Sequence, residues 1–149
     1  MTIRYEEEQT FHWALLSLLL ALIFIGFVMN AEVAKPGNVT LAINLVEIFL
    51  IFMLLNFLRL KIVVTDKALE FGFGVFRKTI QRSKIVSCRP FDVRFGQYFG
   101  IGIRLGLNNT ILFNTRFGKA VRIKIRGHGR DYVVTTDHPE KLCRALKKR

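Results

Sequence analysis

The chain has 149 residues and a formal charge of +12, unevenly spread: up to Leu58 two Lys and Arg stand against five Asp and Glu, a balance of −3, and from Arg59 onward 21 stand against six, a balance of +15. Its two cysteines show no CxxC spacing and its three histidines are scattered, which argues against a disulfide framework or a zinc site and suits a reducing compartment. Gly-x-Ser-x-Gly, a phosphate loop, paired carboxylates and a Cys/His pair at recognisable spacing are all missing, so neither catalysis nor a cofactor nor a bound metal is expected.

The first predicted helix runs from Phe11 to Met29, about 19 residues in which only His12 and Ser17 are polar. That length matches the roughly 20 residues that cross a hydrocarbon core. A signal peptide has a shorter apolar core, a basic start and a small-residue cleavage site. Here Tyr5-Glu6-Glu7-Glu8 precedes the run and a second apolar run, Leu41 to Leu58, comes after it. Lys35-Pro36-Gly37-Asn38 between them is a turn cluster that neither helix can absorb. The expected unit over residues 1–58 is a transmembrane hairpin. Arg59 and Lys61 succeed it at once, whereas the connection offers only Lys35. The positive-inside rule therefore predicts a multi-pass protein of the cell membrane with both termini in the cytoplasm.

A carboxylate at the depth of Glu47 is expensive and raises a functional contact by default. Folding the hairpin back on itself pairs positions whose numbers sum to about 69, which sets Asn56 beside His12 and Trp13 but leaves Glu47 beside apolar Leu22. Asn44 lies one turn before Glu47 on the same face. The two are expected to form an intramembrane polar patch toward another membrane protein or a second copy, the alternative being a protonated Glu47 that bonds Asn44 and does nothing more. A small subunit of a transport or export complex, with Glu47 as its working residue, is the second functional class that this opens.

Past Arg59 the apolar period changes from helical to two. Leu60, Ile62 and Val64 form one predicted strand and Leu69, Phe71 and Phe73 the next, around the turn Thr65-Asp66-Lys67. Strands over 77–81, 85–91 and 101–107 continue the series. The clearest hairpin spans Val121 to Thr136 with a tight turn at His128-Gly129, pairing Ile125 with Tyr132, Ile123 with Val134, Arg126 with Asp131 and Arg122 with Thr135. Asp137 is then expected to cap a final helix, with Glu140 completing a capping box and Leu142, Ala145 and Leu146 forming the apolar face.

The segments Val64-Thr65-Asp66-Lys67-Ala68-Leu69, Phe71-Gly72-Phe73-Gly74-Val75-Phe76-Arg77-Lys78-Thr79-Ile80, Gly100-Ile101-Gly102-Ile103-Arg104 and Val134 to Leu142 give residues 59–148 a pattern that resembles the bacterial and archaeal PH-like domain proteins, in which transmembrane helices precede the domain. The resemblance implies an α+β membrane protein: a two-helix hairpin, then a cytoplasmic PH-like antiparallel barrel or sandwich over 59–149, closed by the C-terminal helix. It implies no activity, and Ile101 stands where the family usually carries a large aromatic.

A binding role is therefore expected. Arg122, Lys124 and Arg126 recur at every second residue, so one strand face is basic while Val121, Ile123 and Ile125 fill the core; Arg77 and Lys78 extend the basic surface. Each such charge near an anionic leaflet contributes roughly 1 kcal/mol. The expected partners are anionic lipid headgroups or an acidic protein at the cytoplasmic face, together with other membrane proteins or a second copy. Arg94-Phe95-Gly96-Gln97-Tyr98-Phe99 interleaves Arg with aromatics as nucleic-acid binders do, but membrane attachment argues against that class.

Overall fold

The computed structural model describes residues 2–10, 13–32, 38–98, 100–106 and 109–147. The predicted turn at 35–37 and His12 lie outside them. The elements in order are β1 (Ile3–Thr10), α1 (Trp13–Glu32), α2 (Asn38–Phe57), β2 (Arg59–Thr65), β3 (Ala68–Phe73), β4 (Phe76–Gln81), β5 (Ile85–Val93), β6 (Gly102–Gly106), β7 (Thr110–Asn114), β8 (Gly118–Ile125), β9 (Asp131–Thr135) and α3 (Pro139–Leu146). The class is α+β, with a four-stranded sheet ordered β1-β2-β3-β4 and a five-stranded sheet ordered β5-β8-β9-β7-β6.

The alternation read in the sequence is what builds the core. Leu60, Ile62 and Val64 of β2 and Leu69, Phe71 and Phe73 of β3 are fully buried, and they meet Val121, Ile123, Tyr132 and Val134 of the second sheet. Phe71 lies edge-on to Phe113, 5.0 Å between centroids, and to Tyr132 at 5.7 Å. Leu142, Cys143 and Leu146 of α3 close the end of this core.

Several expectations are corrected. The acidic start is a strand: β1 pairs antiparallel with β2, Glu7 opposite Ile62 and Gln9 opposite Leu60, so residues before the hairpin complete the first sheet of the β domain. Adding Arg4, Glu6, Glu7 and Glu8 changes the charge of that domain from +15 to +13. The strand carries no apolar alternation because its inward positions, Tyr5, Glu7 and Gln9, are satisfied by hydrogen bonds. Gln9 is buried and donates to Glu7 Oε1 at 2.6 Å, while its own Oε1 accepts from Thr115 at 2.9 Å and Thr135 at 3.3 Å. On the outer face Glu6 pairs with Lys61 and Glu8 with Arg59. A further strand, β7, also went unpredicted; it runs parallel to β9, so the second sheet is not purely antiparallel.

The β8–β9 register differs from the expected one by two residues: Ile123 faces Tyr132, Val121 faces Val134 and Arg122 faces Val133. The connection is a loop over 126–130 instead of a two-residue turn, with Gly127 at φ +73°. Because side chains alternate with a period of two, a two-residue slip leaves each on its expected face. Asp137 does not cap α3; the residue before the helix is His138, and no side chain caps it. The Asp137 N–H instead donates to Glu7 Oε1 at 2.7 Å. The cysteines are not free thiols either: Cys88 of β5 and Cys143 of α3 form a disulfide, fastening the closing helix to the second sheet.

Helices α1 and α2 pack against each other. Among the described residues one helix, over Thr40–Phe57, is long and apolar enough to cross a membrane, and the apolar stretch Ser17–Met29 of α1 is shorter. The depth pairing also shifts. The Glu47 carboxyl lies against Gly26, one turn from Leu22, which lines the same cleft, and a Cβ on residue 26 would fall 2.1 Å from it. Asn56 Oδ1 accepts the Val75 N–H at 2.8 Å, while His12 and the Trp13 side chain, its expected neighbours, lie outside what the structure describes. Glycine at 26 is therefore what admits the carboxyl between the helices, within the hairpin that was expected to offer it no place.

Candidate functional site

The outer face of the second sheet, turned away from the core, carries two kinds of surface. At one end Val93, Tyr98, Leu112, Ala120 and Val133 form a second apolar cluster, with Phe91 and Phe117 packed against it. Part of the Arg94–Phe99 segment is used here. The Tyr98 hydroxyl bonds Thr110 Oγ1 at 2.7 Å, and Phe95 lies edge-on to Phe117 at 5.3 Å. These rings pack against the sheet.

The other end is basic. Ser87, Arg89, Arg122, Lys124 and Asp131 line an open recess of about 250 Å³. The antiparallel register of β5 and β8 creates it by setting Ser87 opposite Lys124 and Arg89 opposite Arg122. Two arginines directly opposite each other on one sheet face destabilise the pairing. Asp131 answers one of them: its Oδ2 accepts from Arg122 Nε at 2.7 Å, in the least exposed carboxylate of any ion pair described. Arg89 and Lys124 form no ion pair among the described residues.

The shortage of acids is general. Of the six Asp and Glu after Arg59, Asp66, Glu70, Asp92, Asp131 and Asp137 each already hold an arginine. The stripe Arg122, Lys124 and Arg126 is thus present on one face of β8 and just beyond its end, with Arg89 added from the neighbouring strand. Alternation of Ser87 and Arg89 with Cys88 in a predicted strand gives Arg89 a face, but its place beside Arg122 comes from the pairing of β5 with β8.

Arg77 and Lys78 do not extend this stripe. They lie on β4, at the edge of the first sheet. Arg77 is held by Glu70 at 3.2 Å and donates from Nε to the Gly74 carbonyl at 2.8 Å. Their place relative to the helices also differs. β2 leaves α2 at Arg59 and ends at Thr65; Arg82 N–H donates to the Lys67 carbonyl at 2.9 Å, and Arg126 N–H to the Lys84 carbonyl at 2.8 Å. Arg126 therefore sits by the turn at the far end of the first sheet, about 20 Å from the helix exit at ~3.3 Å per strand residue. Arg77 and Lys78 sit at the near end, beside the β3–β4 turn.

Buried Arg82 joins that far end together. It donates to the Asp66, Leu146 and Lys147 carbonyls at 3.1–3.3 Å, tying the C-terminus of α3 to the β2–β3 turn. Asn44 and Glu47 share α2, and the carboxyl of Glu47 borders an apolar cleft of about 330 Å³ lined also by Leu22, Ile25, Met29 and Leu50. Among the described residues no three His, Cys, Asp or Glu side chains are grouped to hold a metal ion. No family model, no curated protein and no solved structure matches the chain.

Proposed function

We propose that this chain is a non-catalytic, membrane-anchored module of PH-like architecture, whose second sheet binds an acidic protein segment through the recess of Arg89, Arg122 and Lys124. The observation that carries the reading is the Arg89–Arg122 cross-strand pair, with a single carboxylate beside three cations. A carboxylate-rich ligand would remove the repulsion that the fold tolerates there. The apolar helices supply the anchor. Two sheets around one core with a C-terminal helix at its end support the PH-like comparison, and the parallel β7–β9 pair is an elaboration on it.

Lipid of the protein's own membrane is the weaker ligand for this face. Arg126 lies about 20 Å from the helix exit at ~3.3 Å per strand residue, and surface charges are screened over about 8–10 Å at physiological salt. A protein partner can approach the far end freely. Self-association through this surface is disfavoured because five of the six carboxylates after Arg59 are already engaged.

The test uses the full chain in zwitterionic nanodiscs and a labelled Glu-rich peptide. Binding should weaken with salt, and Arg89→Gln with Lys124→Gln should reduce it about thirtyfold, at about 1 kcal/mol per charge removed. Arg77→Gln with Lys78→Gln should leave it unchanged. Equal binding by the recess variant and the native protein would end this reading.

A further inference from the structure

The turn between β3 and β4 does not behave like an ordinary solvent turn. Val75 at its tip is 70 % exposed and the next residue, Phe76, is 42 % exposed, two apolar side chains presented together. The turn is nevertheless rigidly placed against the end of α2. The Val75 N–H donates to Asn56 Oδ1, and the Phe57 ring stacks on Phe76 at 5.6 Å and tilts onto Phe73 at 5.3 Å. Gly74 takes φ +39°, and a Cβ there would lie 1.9 Å from Asn56 Oδ1, so glycine is what allows this approach. A side chain at Gly102 would meet the Phe57 ring at 3.9 Å, and the neighbouring Ile101 is also exposed.

The depth of the turn is set by these contacts. Asn56 and Phe57 are the last two residues of α2, whose Phe52 and Leu55 face outward. A backbone bonded to Asn56 lies at the level of that residue, so a bilayer that surrounds α2 must also meet Val75. Leaving exposed Val and Phe in water beside a hydrocarbon surface forgoes their transfer energy. The chain after them is basic, Arg77 and then Lys78, and Lys78 forms no ion pair among the described residues. Apolar residues at the tip and cations one or two positions on are the distribution of a segment at the headgroup–acyl boundary.

We propose that the β3–β4 turn is a membrane-inserted wedge: Val75 and Phe76 enter the outer hydrocarbon of the bilayer that holds α2, and Lys78 meets the lipid phosphates. The proposal rests on the membrane reading of the helices. It gives the β domain a second attachment to the same leaflet and fixes its tilt, leaving the recess of the second sheet to a partner.

The test places single tryptophans in the full chain with Trp13 changed to Phe, reconstituted in vesicles of phosphatidylcholine and phosphatidylglycerol. Lipids brominated at shallow or deep acyl positions serve as quenchers. Val75→Trp and, as a ring-for-ring change, Phe76→Trp should emit at shorter wavelength than Val86→Trp on the second sheet and should lose emission to shallow bromines. Phe49→Trp, outward-facing in the middle of α2, should be quenched by deep bromines. Quenching at position 49 with none at 75 or 76 beyond that at 86 overturns the wedge and spares the anchor. No quenching at 49 overturns both.

Discussion

Glu7 accepts a hydrogen bond from the backbone N–H of Asp137, at 2.7 Å and across 130 residues of sequence, which joins the first strand of the chain to the entrance of its last helix. The same carboxylate takes the hydroxyls of Tyr5 and Thr136 and the amide of Gln9. Burial acts to raise its pKa, but the donors, Asp137 N–H first among them, outweigh burial and hold it below the ordinary 4.5. A carboxyl depressed in the folded state contributes stability above its unfolded pKa and loses that contribution as pH falls through the folded one. Native protein should therefore be more stable than Glu7→Gln at neutral pH by about 1–3 kcal/mol. In thermal melts at stepped pH the difference should shrink only below about pH 4.5; a difference constant down to pH 3 removes the charged form from the account.

Fixing the β3–β4 turn to α2 requires glycine at 74. Gly74→Ala combines a left-handed backbone with a contact at 1.9 Å, so it should cost roughly 1–3 kcal/mol. Asn56→Ala, which leaves the Val75 N–H unpaired, should cost about 1 kcal/mol. Because both act on one contact, the double variant should be clearly less destabilised than the sum, as measured by denaturation in detergent micelles. Additive losses would separate the turn from the helix end.

The Cys88–Cys143 disulfide closes a loop of 55 residues. Chain entropy assigns about 4 kcal/mol to a loop of that size, and native small-domain bridges are worth about 2–5 kcal/mol. Cys88→Ala with Cys143→Ala should lower the denaturant midpoint accordingly and, before global unfolding, raise amide exchange in α3 above that in β8. Equal protection of α3 in both forms would show that Leu142, Leu146 and Arg82 hold the helix unaided.

Hydrogen bonding of β1 to β2 places the N-terminus and the β domain on one face of any membrane the helices cross. The charge excess predicts that this face is the cytoplasmic one, whereas the disulfide is the feature that favours an oxidising compartment. An impermeant thiol reagent on intact cells should label Asn38→Cys and should leave both Thr2→Cys and Lys124→Cys unlabelled. The reverse pattern inverts the orientation and keeps the pairing, while different results for Thr2 and Lys124 would break the pairing itself.

Gly26 and Glu47 form a matched pair inside the helical hairpin. A side chain at 26 must displace the carboxyl, which lies 2.1 Å from a built Cβ. Gly26→Val should weaken packing of α1 on α2, and Glu47→Ala should relieve part of the loss, read as the denaturation midpoint in bicelles. Independence of the two substitutions would place the carboxyl elsewhere.

Apolar periodicity made some elements legible from residues alone. β2 alternates fully buried residues with less buried ones, β3 buries Leu69, Phe71 and Phe73 at every second position, and α3 shows its face at Leu142 and Leu146. β1 was invisible because its inward residues, Tyr5, Glu7 and Gln9, satisfy partners contributed from 106 to 131 residues away. The same reason defeated the capping box: Asp137 carries the sequence signature, but Glu7 reaches the backbone of that turn first. The stripe at Arg122 and Lys124 was legible from period two, since a register slip of two preserves the face. Its neighbour Arg89 needed the pairing of β5 with β8, which no local pattern specifies.

Because the two helices are spliced between adjacent, hydrogen-bonded strands, the first sheet has a distinctive order of assembly. β1 leaves the ribosome before its partner, which is complete only at Thr65, 55 residues beyond Thr10. At about 5–20 residues per second that is a wait of roughly 3–11 s. Until then its ladder partner does not exist, and three consecutive glutamates oppose stray edge pairing. When β2 arrives, closing the ladder draws the outer ends of α1 and α2 together, so completion of the sheet clamps the helical hairpin at its base.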